Sequence, residues 1–531
     1  MPSVRHRKRL YKQMALEVAV RNPERYYSFL VTYSKFEGTV LDDEGILDIY
    51  AQLFLDEVIT ASDVDISVMS ETDIKEFVKK NCSHNNEWGF PTGYQAAFTR
   101  YLKTLSEFGF IYSQYNQEFH ISPVGKAVVK GKITLSEAFA LQSMRFWRKS
   151  PYRRVLNDFN YFDYVLKLIE EREQAGHKLS IVQFYVSLFS DDGNVENTIK
   201  TFDDNNFGAD EDAAFNYVFN AYSEADENHA RVATQNTSFR DYGNTVFRVL
   251  QLTGFITVDH SGLMCFTINK NRLDFWQALR NQHFSISEEA KESERIYFEE
   301  LGSFSDSLEK LIVAYREKED LSTTEYNKKI PNLLEVYNLN KESVIEYLRD
   351  IDRGVKNDRK CFWFIQAPVK YELLLTLLLY CCYGNTFEYK PNFKCDDAGV
   401  PYSHAPGNIG DIEIMNQSVY WLVEATLIKN KQQQMNNETV NLFRHIWGNK
   451  NCETYVALVA PYIHDDTELI IKVATTITMI EHEERIIYSK PETTSAFIES
   501  AKSGHSLDSI KGYTIDYVKR LKDFLNNIDI T

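Results

Sequence analysis

The sequence predicts a multidomain α+β protein, with a mainly helical N-terminal half, a helical linker and a C-terminal α/β domain. Three observations carry this. At 531 residues the chain is too long for one hydrophobic core and suits about three to four domains of ~150 residues. Apolar residues at helical spacing recur through the first half, and a charged helical stretch runs from Ser285 to about Lys356. After Asp358 the pattern changes to β-branched and aromatic runs around one long apolar helix. The expected boundaries are 1–150, 151–284, 285–357 and 358–531.

Hydrophobic residues at 44% and charged residues at 25% fit a soluble globular protein. No window of about 20 residues is apolar throughout, so no membrane span is expected. The longest apolar run, Leu373 to Cys382, fits a buried helix. Arg5, Arg7, Lys8 and Arg9 are not followed by the apolar core of a secretory signal. Seven cysteines at irregular spacings point to a reducing, cytoplasmic compartment without structural zinc or disulfides. A net charge of −17 counts against phosphate binding unless positive charge is gathered locally. Two stretches gather it: Arg5 to Lys12, and Arg145–Phe146–Trp147–Arg148–Lys149 through Arg153 and Arg154. The second interleaves aromatic and basic residues, as a surface contacting a phosphate backbone would. A solvated helix end reads the same way.

Taken in order, residues from Asp42 to Val64 read as a helical pattern, with Ile46, Ile49, Tyr50, Leu53 and Phe54 at spacings of three and four. A second helix is expected from about Gly93 to Phe108, with Phe98, Tyr101, Leu102 and Leu105 on one face and Gly109 as its C-cap. Strand-like Phe110–Ile111–Tyr112 and Glu118–Phe119–His120–Ile121 follow. Helix, Gly-Phe, strand, turn, strand is the shape of a winged helix, whose last helix can enter the DNA major groove. The shape recurs at Thr245 to Leu252, Gly254–Phe255, Ile256 to Val258 and Met264 to Ile268. Two such units make the N-terminal half a candidate DNA-reading region. Helix position and charge nominate Arg100, Lys103, Arg240 and Arg248 for DNA contact.

In the C-terminal domain, Ala367–Pro368 opens a helix bearing Glu372 near its start. Alone, Glu372 also reads as a solvated acid complementing the helix dipole. Gly410–Asp411–Ile412–Glu413–Ile414 alternates, with Asp411 and Glu413 on one face. A turn at Asn416–Gln417 leads into Val419 to Thr426, apolar on both faces up to Ala425 except at Glu424. That is how a central, doubly covered strand reads, where a carboxylate is costly unless paired or bound to metal. Asp411 lies 13 residues before Glu424, across a plausible hairpin, so the two acids can meet at its open end. An acid ending one strand and (D/E)-x-K on the next is the general PD-(D/E)XK layout. Such acids hold Mg²⁺, which activates water and neutralises charge on the scissile phosphate. A helix expected from about Lys431 to Trp447 places Gln434, Glu438, Leu442 and His445 on one face.

The order of Pro368–Val369–Lys370–Tyr371–Glu372, Gly410–Asp411–Ile412, Val423–Glu424–Ala425–Thr426–Leu427, Gln433–Gln434, Glu438 and Arg444–His445 resembles the AlwI-type family of type IIS restriction endonucleases. That family includes the large subunits of heterodimeric nicking enzymes. Arg21–Asn22–Pro23–Glu24–Arg25 and Val459–Ala460–Pro461–Tyr462–Ile463 extend the likeness toward both ends of the chain. The resemblance implies a PD-(D/E)XK nuclease domain with Glu372, Asp411, Glu424 and Glu438 as its acidic active-site residues, Asp411 and Glu424 binding Mg²⁺. It implies double-stranded DNA as substrate, and either transient homodimerisation or a second nuclease subunit for cutting both strands. A strand-specific nicking subunit and a non-catalytic winged-helix DNA-binding protein are the competing readings. A scaffold protein without any DNA role is a third. Thr426 stands where the superfamily usually has Lys, which leaves Lys429, Lys431 and Gln434 as nearby substitutes.

Overall fold

The computed structural model describes residues 8–526 apart from 62–65, 67–68, 81–92, 324, 356–361, 406–408, 430, 432–433, 436–441, 443–452 and 482–485. The chain divides into two compact units, Met1–Glu319 and Asp320–Thr531. The division falls within the charged helical span 285–357, and helix Asp306–Thr323 crosses it. Among the described residues no helix is long and apolar enough to cross a membrane.

In the N-terminal unit α1 (Asp43–Leu55) starts at Asp42, whose carboxylate accepts from the backbone N–H of Glu44 and Gly45. It is shorter than the apolar spacing suggests and ends at Asp56, which Lys35, Thr32 and Gln52 hold by hydrogen bonds. Helix α2 (Tyr94–Glu107) buries Phe98, Leu102 and Leu105 and stops at Gly109. There φ is +69°, and an added Cβ would lie 2.6 Å from Leu301 Cβ, so only glycine suits the turn. A minimal antiparallel hairpin follows, β1 (Ile111–Tyr112) with β2 (His120–Ile121). Further on come α3 (Leu135–Arg145), α4 (Tyr161–Gln174), β3 (Leu179–Ser180) and α5 (Ile181–Ser187). Helix α6 (Tyr242–Leu252) then runs into β4 (Ile256–Asp259) and β5 (Cys265–Ile268). These strands pair antiparallel, and β3 joins the outer side of β5 to make a three-stranded sheet. Both helix–hairpin successions expected from the sequence are present.

The aromatic–basic stretch is corrected by burial. Arg145 is 6% exposed and donates to the carbonyls of Leu301 (3.2 Å) and Ser303 (2.6 Å). Arg148 is 1% exposed and donates to the carbonyls of Ser190 (3.0 Å) and Lys12. Burial pushes both guanidinium groups down to about 10. Their charge is spent on backbone oxygens inside the unit, so neither is a solvated helix end nor a surface contact.

Helix α7 (Glu294–Leu301) packs Tyr297 and Leu301 against Ile286 and Ala290. Its first residue, Glu294, is mostly buried, and burial pushes its carboxyl up to about 7, against 4.5 in an ordinary glutamate. Between those values the folded chain holds a proton that the unfolded chain has lost, so stability falls as pH rises through that window. Glu294→Gln is therefore expected to melt several degrees above the wild type at pH 8. The gap should close near pH 4.5 in melting scans across pH, and a constant gap would show that Glu294 is not the titrating group.

The C-terminal unit is built on a five-stranded mixed sheet. Its elements are α8 (Tyr326–Val336), α9 (Lys341–Asp352), α10 (Ala367–Tyr383), β6 (Glu388–Pro391), β7 (Ile412–Met415), β8 (Val419–Ala425), β9 (Glu453–Ala460), α11 (Asp465–Glu481), β10 (Ile487–Thr493), α12 (Thr494–Lys502) and α13 (Ser506–Asn526). The strand order is β10-β9-β8-β7-β6. Strand β8 is central, antiparallel to β7 and parallel to β9, and β9 is parallel to β10. Parallel neighbours need a crossover, which α11 supplies between β9 and β10. One face of β8 carries Trp421, whose ring meets Tyr383, Phe387 and Phe497 at 5.9–6.4 Å. The other carries Tyr420 and Leu422, packed with Leu442, Val456, Leu458, Ile471 and Ile487. With both faces covered, β8 is apolar throughout except at Glu424.

Candidate active site

The hairpin register sets the site. Ile412 pairs with Val423, Glu413 with Leu422, Ile414 with Trp421 and Met415 with Tyr420. The ladder ends at Ile412 and Val423, and the next residues outward are Asp411, in a bend, and Glu424, still in β8. Side chains alternate between faces, so Glu413 shares a face with Leu422 and Glu424, while Ile412 and Ile414 point with Trp421 into the opposite core. Glu424 is 5% exposed. The Ala425 N–H donates to Asp411 Oδ2 at 2.8 Å and fixes that carboxylate against the end of β8.

Gly410 permits this approach. A Cβ there would lie 2.2 Å from Leu422 Cδ1 and 2.9 Å from Glu424 Oε1, so a larger residue would force the hairpin end open. The edge strand contributes two residues that the sequence did not single out. Asn392 donates its backbone N–H to the Asp411 carbonyl (2.9 Å) and its side-chain amide to Gly410 O (2.5 Å) and Glu413 Oε1 (2.9 Å). Lys390 pairs in register with Glu413, their charged atoms 3.5 Å apart. It therefore stands on the carboxylate face. The alternation of Glu388, Lys390 and Asn392 around Pro391 was the available signal, since proline in a strand favours an edge.

Glu372, on α10, is 4% exposed, which overturns its reading as a solvated acid. Among the described residues no three His, Cys, Asp or Glu are grouped to hold a metal. Glu438 and His445 lie outside the described residues. Thr426, in the usual lysine position, is built into the strand end. Its N–H donates to Val459 O (3.0 Å) and its Oγ1 accepts from Ile428 N (3.1 Å).

Of the three substitutes for that lysine, Lys431 is ion-paired with Asp466 at 2.7 Å and Lys429 is exposed. Gln434 is fully buried and clamps two loops. Its amide donates to Ile428 O (3.3 Å) and Tyr462 O (2.8 Å), and its carbonyl accepts from His464 N (3.0 Å). Those contacts make Gln434 a brace for the loop after Glu424.

In the N-terminal unit Arg100 and Lys103 share Glu17, at 3.4 and 3.8 Å. Arg240 pairs with Glu211 at 2.5 Å, and Arg248 is half-buried on α6. Their positive charge is partly answered within the chain.

A family model described as AlwI restriction endonuclease matches residues 106–351 and 306–499, together well over half of the chain. No curated protein sequence matches. Three solved structures are similar to it over different shares of the chain. The small subunit of the heterodimeric restriction endonuclease R.BspD6I is 17% identical over 33% of this chain and 87% of its own, with a TM-score of 0.25. The BpuJ1 endonuclease binding domain, solved with modified DNA, is 10% identical over 52% and 90%, with a TM-score of 0.32. Restriction endonuclease FokI is 9% identical over 96% and 98%, with a TM-score of 0.23.

Proposed function

This chain belongs to the AlwI restriction endonuclease family, and from that premise we propose that it is a magnesium-dependent, type IIS-like DNA endonuclease. Winged-helix-type modules in the N-terminal unit would read a short asymmetric duplex site. The C-terminal unit, with a PD-(D/E)XK layout, would hydrolyse a phosphodiester at a fixed offset and leave a 5′-phosphate. The single observation that most supports this is the Ala425 N–H donating to Asp411 Oδ2 at 2.8 Å, which sets Asp411 at the strand end that carries Glu424. The donor set suits Mg²⁺, a hard cation that takes one or two carboxylates and completes its shell with phosphate oxygens and water.

Asp411 and Glu424 would hold that ion, which when bound supplies charge to the scissile phosphate and acidifies a water. The Ala425 N–H keeps Asp411 from rotating away. Asn392 ties the edge strand to the Gly410 carbonyl and so holds the open end of the hairpin in place. Lys390 would bring the positive charge that Thr426 cannot. One such pair cuts one strand, so a second copy or another subunit is needed for a double-strand break, and a strand-specific nicking subunit is the variant with no such partner. Against a non-catalytic role stands the burial of Glu424 in an otherwise apolar strand, where a carboxylate is costly. A cytoplasmic setting, with access to DNA, goes with this reading.

Supercoiled plasmid incubated with the protein in Mg²⁺ or in EDTA tests it. Discrete nicked or linear products that need Mg²⁺ are expected, and mapping their ends gives site and offset. Plasmids of varied sequence that stay intact, with and without a candidate partner subunit, would reject the endonuclease.

A further inference from the structure

The two basic stretches of the sequence, about 140 residues apart, converge in the N-terminal unit. Leu10 and Val155 form a parallel bridge, reinforced by Leu156 N–H donating to Leu10 O at 3.0 Å. That bridge lays Arg9 beside Arg154. Together with Lys149, Lys291 and Arg295 they line one cleft of about 610 Å³. Five cations thus line it beside two acids in a chain whose net charge is −17. Lys149 and Lys291 also pair with Asp158, Lys291 with Glu288 and Arg295 with Glu299. Glu292 is engaged by Arg9, and Glu294, with its raised carboxyl, is only partly charged near neutrality.

Two of the cations are braced by aromatic rings: Lys291 over Trp147 at 5.0 Å and Arg295 over Tyr112 at 5.1 Å. Arg154 is the unusual member. It is exposed, makes no ion pair with the described residues, and sits in the left-handed region at φ +48°. That conformation is unfavourable for a non-glycine residue and persists where neighbours over-determine it. Here Arg153 is anchored on Glu107 at 2.6 Å and Val155 in the bridge. The backbone is held so that the Arg154 side chain lies at the cleft.

We propose that this cleft is a phosphate-binding site that seats the backbone of duplex DNA on the N-terminal unit, positioning the duplex without reading bases. Guanidinium forks match phosphate oxygens in pairs, and backbone contacts of this kind fix register and orientation. The identity of the polymer rests on the endonuclease reading; the anion site rests on the cleft.

The test is duplex binding in EDTA across a salt series, for wild type, Arg154→Asn and Arg154→Asn/Arg295→Gln. Asn tolerates the left-handed backbone, so Arg154→Asn should melt no lower than the wild type. The slope of log affinity against log salt should become shallower by about 1 in the single variant and about 2 in the double. Affinity should fall alike on every duplex sequence. Unchanged slopes in both variants beside a steep wild-type slope would overturn the cleft and leave the endonuclease reading standing. Wild-type protein without salt-sensitive duplex binding would overturn both. Calorimetric binding of inorganic phosphate that is lost in Arg154→Asn, with unaltered duplex slopes, would make this a small-anion pocket and overturn the DNA assignment.

Discussion

Asp411→Asn and Glu424→Gln are each expected to lower cleavage by about 10³-fold or more, the scale on which removing one member of a catalytic unit acts. Both changes keep shape and hydrogen-bonding size while removing the charge that an ion would need. Asp411→Asn still accepts from the Ala425 N–H, so the hairpin end should stay closed. Glu424→Gln replaces a buried acid by a neutral amide, and the metal-free protein should melt at or above the wild-type temperature. The diagnostic result is therefore split: cleavage lost, duplex affinity kept and stability undiminished. Single-turnover cleavage, duplex binding in EDTA and melting curves measure the three parts. Wild-type cleavage by either variant would remove that residue from the site.

The second large effect is on stability. Arg272 and Glu319, 4% and 6% exposed, form a bidentate pair with both contacts at 3.1 Å. Arg272 also donates to the Thr253 carbonyl and to Ser136 Oγ at 3.4 Å, while Ser136 donates to Leu252 O at 2.7 Å. One guanidinium thus joins the C-terminal end of α6 to α3 and to the helix carrying Glu319. Breaking a buried pair by removing one partner leaves the other charge uncompensated and costs about 3–5 kcal/mol. Arg272→Met and Glu319→Gln should each lower the unfolding midpoint of the N-terminal unit accordingly. Arg272→Met/Glu319→Leu, which removes both charges, should regain much of the loss. Denaturant titration of all three measures this, and single variants within about 1 kcal/mol of the wild type would refute it.

Where local pattern decides, the sequence was legible. Alternation around Ile412 and Ile414 predicted the face of Glu413, Asn416–Gln417 predicted the turn, and the apolar run through Val423 predicted a doubly covered strand. Helix α2 followed from its apolar spacing and its stop at Gly109. Long-range pairing was hidden. Nothing local announces that Glu453–Ala460 lies parallel to β8, or that Lys390 and Asn392 come beside Glu413 and Asp411. Arg145 and Arg148 misled for the same reason. Their acceptors, carbonyls of Leu301 and Ser190, lie 156 and 42 residues away along the chain, so a basic run read as surface turns out to be internal bracing. Glu372 shows the converse limit: a polar residue in the first turns of a helix gives no local sign that tertiary packing will bury it.

The turn between β7 and β8 acts as a ruler. The Asn416 side chain accepts from the N–H groups of Ser418 and Val419, and its own N–H donates to Val419 O at 3.0 Å. Those bonds fix how many residues separate the two strands, and with it which rung of the ladder each acid occupies. Because side chains alternate, a one-residue insertion or deletion there would carry Asp411 to the opposite side of the sheet while leaving every acid in the chain. Descent in this lineage should therefore be free with the letters of the turn and strict about its length.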